Sequence, residues 1–198
     1  MKQKLLEAAP PDLIEWVQEK LSNDWFEPQD ITEILEESIR EDHYLHGIHN
    51  VYWSLGYCQG DGVAFEGHID LEVLRENVSE LDGLMGECEA LAALLGCEFD
   101  LMVNRCQVRN SGRECHWNSM ELELEWDYGD GEGWCGFDAL DERIRCVRDW
   151  IENYIKEVSR ALERMGYAEI EHRGSAGYAA EYLEDRPELL DEFLAMNE

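Results

Sequence analysis

Apolar and polar positions change their spacing along the chain, and each change marks an element. Over residues 12–21, Leu13, Ile14, Val17 and Leu21 recur as one helix face, behind Pro10 and Pro11, which suit a helix start. After Pro28 a second stripe, Ile31, Ile34, Leu35 and Ile39, opposes Glu33, Glu36, Glu37 and Glu41. From Asn50 the period falls to two. Val51, Trp53, Leu55 and Tyr57 alternate with smaller or polar residues as far as the turn chemistry of Cys58-Gln59-Gly60-Asp61-Gly62. Val63, Phe65, Gly67, Ile69, Leu71 and Val73 then alternate with Ala64, Glu66, His68, Asp70 and Glu72, which predicts a β-hairpin with one wet face.

Residues 79–97 return to the helical period and close at Gly96. A second hairpin is predicted over 98–108 and 115–126, joined through Asn110-Ser111-Gly112. In its second arm Met120, Leu122, Leu124 and Trp126 alternate with Glu121, Glu123, Glu125 and Asp127. Glycine-rich residues 127–137 read as a loop, and 139–165 as a long helix with Leu140, Ile144, Val147, Ile151, Tyr154, Val158, Leu162 and Met165 on its apolar side. The tail over 175–197 reads as helix broken at Pro187. This order predicts a single α+β domain: an antiparallel sheet of two β-hairpins, about four strands, covered by amphipathic helices. Its helices fall at 11–42 and 138–197, flanking a sheet-and-helix core at 49–127.

Charge changes the picture from a generic domain to an unusual surface. The chain carries 46 Asp and Glu against 16 Lys and Arg, a formal charge of −30, and that self-repulsion costs stability. With 44% hydrophobic residues, seven Trp among them, it still has the material for a packed core. Halophilic adaptation is disfavoured because Glu outnumbers Asp and cysteine is plentiful. Solubility and the binding of a basic partner remain. Alternate strand residues lie about 6.6 Å apart. Glu121, Glu123, Glu125 and Asp127 are therefore expected to form one row of carboxylates, and Glu66, Asp70 and Glu72 another, as candidate partner-binding residues. The spacing is loosely comparable to that of a nucleic-acid backbone, which makes nucleic-acid mimicry a reading, beside that of an ordinary solvated face. No basic patch with interleaved aromatics is legible, so direct nucleic-acid binding is not expected. No stretch is long and apolar enough for a bilayer span, and residues 1–11 hold no apolar leader. Seven cysteines without a CxxC pair fit reduced thiols in a cytoplasm.

Two segments carry a resemblance. The run from Trp53 to Gly67, centred on Cys58-Gln59-Gly60-Asp61-Gly62-Val63-Ala64-Phe65, resembles a segment of small phage and prophage proteins of unassigned function, written S-Q-G-D-G-A-x-F. The run Gly112-Arg113-Glu114-Cys115-His116-Trp117-Asn118-Ser119-Met120 is similar to the Y-x-H-x-x-S-M segment of the same family. Together they cover the central third of the chain. Cys58 stands where that pattern has Ser, Val63 where it has Ala, and Cys115 falls just before the motif His. The resemblance implies a phage or mobile-element origin and no activity.

Read as chemistry, Gln59, Asp61 and His116 are candidates for a polar pocket at one sheet end, with His116 as general base or ligand; a tight turn and a hydrogen-bonded histidine are the competing readings. Cys58, Cys106, Cys115 and His116 are a candidate soft-metal set across the two hairpins. Asp127, Asp130 and Glu132 fail the calcium-loop pattern for want of a glycine at its sixth position. No cofactor motif is present, so no cofactor is expected. The expectation is an acidic, phage-related interaction protein that binds and inhibits a basic, nucleic-acid-handling host protein. The alternatives are a small enzyme or ligand-binding domain at Gln59, Asp61 and His116, and an antitoxin-like neutraliser of a basic toxin.

Overall fold

The structure, a computed structural model, describes residues 11–23, 27–57, 61–96, 106–110, 115–125 and 137–196. Among these the chain forms α1 (Pro11–Asn23), α2 (Pro28–Glu41), β1 (Ile48–Ser54), β2 (Gly62–His68), α3 (Leu71–Asn77), α4 (Ser79–Leu95), β3 (Cys106–Asn110), a 3-10 turn (Trp117–Ser119), β4 (Met120–Leu124), α5 (Phe137–Arg173), α6 (Ala176–Asp185) and α7 (Glu188–Met196). The fold is α+β, with one antiparallel sheet in the order β1-β2-β3-β4. The chain divides into two compact units, one of residues Met1–Ile31 with Met165–Glu198 and one of Thr32–Arg164.

In the first unit Leu13, Ile14, Val17 and Leu21 of α1 join Ala179, Ala180, Leu183 and Leu189 in one apolar cluster, with Trp16 and Phe193 packed on it. The expected α1 stripe is therefore a core face. Gln18 Nε2 donates to the Gly174 carbonyl at 2.7 Å, and Arg173 bridges Asp30 and Glu169.

In the second unit, strand alternation sorts the sheet into two faces. Phe65, Cys106, Val108, Met120, Leu122 and Leu124 are buried on one, and Glu66, His68, Gln107, Arg109, Glu121 and Glu123 lie unburied on the other, which is covered only towards the Gly62 end of β2, where Ala64 is buried. Helix α5 buries Leu140, Ile144, Val147, Ile151, Val158 and Leu162 of the stripe expected of it, and with them Ile155, whereas Tyr154 and Met165 of that stripe are only half-buried. It runs on to Arg173, beyond the expected end at 165, because Gly166 alone costs a helix only about 1 kcal/mol and no other breaker intervenes before Gly174.

The apolar alternation over 63–73 is not one strand. Strand β2 ends at His68, and Asp70 instead caps α3, its carboxylate accepting from the Glu72 and Val73 amides at 3.1 Å each. Leu71 and Leu74, three apart, bury one helix face, so Leu-Glu-Val-Leu satisfies the helical period as well as the strand period. Capping decides between them. The expected row of Glu66, Asp70 and Glu72 is thereby overturned, since only Glu66 stands on a strand. Asp70→Ala is expected to lower stability by about 1 kcal/mol, and Asp70→Asn by much less, in urea unfolding. The second arm of the second hairpin is likewise shorter than expected: Trp117–Ser119 form a 3-10 turn and β4 begins only at Met120. Expected strand residues 98–105 and the loop 127–136 lie outside the described residues.

Candidate functional site

The open sheet face follows directly from β-strand alternation. Glu121 and Glu123 are exposed on β4 between buried Met120, Leu122 and Leu124, and Glu125 is exposed just beyond the strand. Asp127 lies outside the described residues. The row is not purely acidic, because Arg109 pairs in register with Glu121 and its guanidinium meets Glu123 at 2.8 Å. Both partners of that ion pair are largely exposed, so its net worth is below about 1 kcal/mol.

Glu66, on β2, is held more firmly. Its Oε1 accepts from the Tyr52 hydroxyl at 2.6 Å and the Asn50 amide at 2.7 Å, both on β1. The Tyr52 hydrogen bond, then that of Asn50, keeps the Glu66 carboxyl below its ordinary value, and the same bond raises the Tyr52 phenol. Beside it is an open hollow of about 290 Å³ lined by His49, Glu66, His68, Gln107 and Arg109. Sequence patterning placed Glu66, Glu121 and Glu123 on this face. It missed Asn50, Tyr52 and Arg109, although Arg109 sits two residues from Gln107 and was readable by the same alternation.

At the Gly62 end of β2 the two motif segments meet. A Cβ on Gly62 (φ +154°) would lie 2.6 Å from the Cys115 carbonyl oxygen and 3.4 Å from the His116 Cα, so only glycine lets the second segment approach β2. Asp61, 7% exposed, accepts from Ser54 Oγ at 2.9 Å. Burial, and then the Asp61 carboxylate, push the Cys115 thiol up, which makes it a poor nucleophile. His116 Nδ1 accepts from the Asn118 amide at 3.1 Å as the cap of the 3-10 turn, Ser119 Oγ donates to the His116 carbonyl at 2.6 Å, and Met120 Sδ accepts from the Phe65 amide at 3.4 Å. Ser159 of α5 donates to the Val63 carbonyl. Among the described residues no β2–β3 pair continues beyond Gly67 and Val108, and Met120 Sδ and Ser159 Oγ serve the Phe65 amide and the Val63 carbonyl of β2.

Asp61 and His116 are thus gathered at one sheet end, as the polar-pocket reading requires; Gln59 lies outside the described residues. His116, Ser119 and Met120 each have a structural bond. Trp117 lies against His116 at 5.1 Å and beneath two cations of α5, Arg160 and Lys156, contacts that sequence spacing did not disclose. Burial raises the Cys106 thiol to about 12. Among the described residues no group of three or more His, Cys, Asp or Glu is placed to hold a metal ion, and no helix is long and apolar enough to cross a membrane.

One family model, described as Domain of unknown function (DUF8835), matches residues 20–176, a span that takes in both motif segments and the open sheet face. No curated protein and no solved structure matches the chain.

Proposed function

The chain belongs to this family of unknown function, and from its own residues we propose that it is an acidic interaction protein that binds and inhibits a basic, nucleic-acid-handling host protein. One observation carries the reading: in a chain of net charge −30, Asp61 is the single buried carboxylate residue among the described residues, so the rest of their acidic side chains lie at or near the surface. Such a surface concentrates positively charged partners and accelerates their association. The open sheet face, with Glu66, Glu121 and Glu123 and the adjoining Glu125, is the region we assign to first contact. Asp70 and Glu72 serve from α3 as part of the surrounding field. The phage-like motifs supply the setting, a phage-encoded factor acting in host cytoplasm on defence machinery.

Immobilised protein exposed to bacterial lysate at about 50 mM salt is expected to retain basic nucleic-acid-binding proteins. They should be released by about 200 mM salt and displaced by duplex DNA. Retention of nothing basic, or of proteins indifferent to both salt and DNA, would sink the proposal. The polar-pocket reading has in its favour the meeting of Asp61 with the His116 segment. Against it stand the hydrogen bonds that already engage the Asp61 carboxylate and His116 Nδ1.

A further inference from the structure

In a chain with so many carboxylates, a cation without one is the exception. Within the Thr32–Arg164 unit Arg40, Arg75, Arg109, Arg143, Arg145 and Arg148 are each ion-paired. Among the described residues Lys156, Arg160 and Arg164 of α5 are not. They stand at i, i+4 and i+8, on one helix face. Two of them converge on the same ring: the Arg160 guanidinium carbon is 4.5 Å, and the Lys156 ammonium 5.9 Å, from the Trp117 centroid. His116 lies 5.1 Å from that ring at 38°, and because its Nδ1 accepts the Asn118 amide, its other nitrogen is left as a donor.

We propose that Lys156, Arg160 and His116, arranged about Trp117, form a binding site for a small phosphate-bearing ligand. A forked guanidinium, a point-charge ammonium and an imidazole N–H match a tetrahedral oxyanion. The Trp117 ring holds Arg160 in place by a cation–π contact, which lessens the order lost on binding. The ligand must be small. At physiological salt a charge is felt over about 8 Å, so a lone phosphate senses the local cations, whereas a polyanion extends into the surrounding negative field. This site is independent of the acidic surface and goes beyond the function proposed for it.

The test is an NMR titration of the full chain at constant ionic strength, following the Trp117 indole and Asn118 amide. The probes are inorganic phosphate, a nucleoside monophosphate and a duplex oligonucleotide. We expect saturable shifts with at least one of the first two. Equal affinity for both identifies the phosphate group alone as the ligand, and tighter binding of the monophosphate identifies an ester. K156Q/R160Q should weaken binding at least tenfold with the remaining spectrum unchanged, while Arg145→Gln, on the same helix but paired with Glu142, should not. Failure of both small probes to saturate, undiminished binding by K156Q/R160Q, or tighter binding of the oligonucleotide than of the monophosphate would overturn the assignment.

Discussion

Gly67→Ala is expected to cost about 3 kcal/mol or more of folding stability, among the largest effects of any single methyl group added to this chain. Its φ of +153° is one that L residues rarely adopt, and forcing such backbone costs about 1–3 kcal/mol. The added Cβ would also sit 2.5 Å from the Gly47 carbonyl oxygen and 2.6 Å from the Ile48 Cα. Those are backbone atoms at the β1 irregularity between Ile48 and Asn50, and the Gly47 carbonyl already accepts the His68 amide at 3.0 Å. They cannot swing aside as a side chain would. Against a typical stability of about 5–15 kcal/mol, the loss should appear as a large fall in the urea midpoint. Gly83→Ala is the control. That helical glycine has nothing within 4 Å of its Cβ position, so alanine there should stabilise by about 0.5–1 kcal/mol. A cost below about 1 kcal/mol at Gly67 would mean that the β1–β2 contact yields easily.

What could be read from sequence was periodicity, and what could not was the meeting of distant segments. Both helices before the sheet, the Gly96 closure in its left-handed conformation, the wet face of β4 and the tail break at Pro187 were all legible, because each rests on residues within a few positions of one another. The 63–73 run misled because Leu71 and Leu74 fit two periods, and the deciding Asp70 cap reads as one more polar residue in an alternation. Gly62 was legible as a turn glycine. That it makes room for Cys115 and His116, some fifty residues on, was not. The clustering of Lys156 and Arg160 on Trp117 is of the same kind: the helical spacing of the cations is written in the sequence, but the ring that gathers them comes from another segment.

Reversing Glu121, Glu123 and Glu125 to lysine together is expected to weaken capture of a basic partner by about thirtyfold while leaving the fold intact. Each exposed ion pair is worth about 0.2–1 kcal/mol, so no single carboxylate is indispensable. A reversal does more than remove a pair, since it sets a like charge against the partner. Three together come to about 2 kcal/mol, at tenfold per 1.4 kcal/mol. The net charge moves only from −30 to −24, so a loss of that size would be local to this face and not a change in the overall field. The fold should survive because these three side chains are exposed, while Met120, Leu122 and Leu124 between them keep the core contact. Lysine at 121, directly opposite Arg109, and at 123, in place of its ion-pair partner, would each repel Arg109 and cost a few tenths of a kcal/mol, visible as a small shift in the urea midpoint. Asp61→Ala is the counterpart. It removes the acceptor of the half-buried Ser54 hydrogen bond, costing about 0.5–1.5 kcal/mol of stability because the exposed Ser54 hydroxyl can turn to water, yet it should leave partner affinity unchanged because Asp61 is only 7% exposed. Binding curves for the two variants at low and physiological salt separate the readings. Silence of the triple reversal with loss of binding in Asp61→Ala would move the functional surface from the acidic sheet face to the sheet end where Asp61 approaches Cys115 and His116.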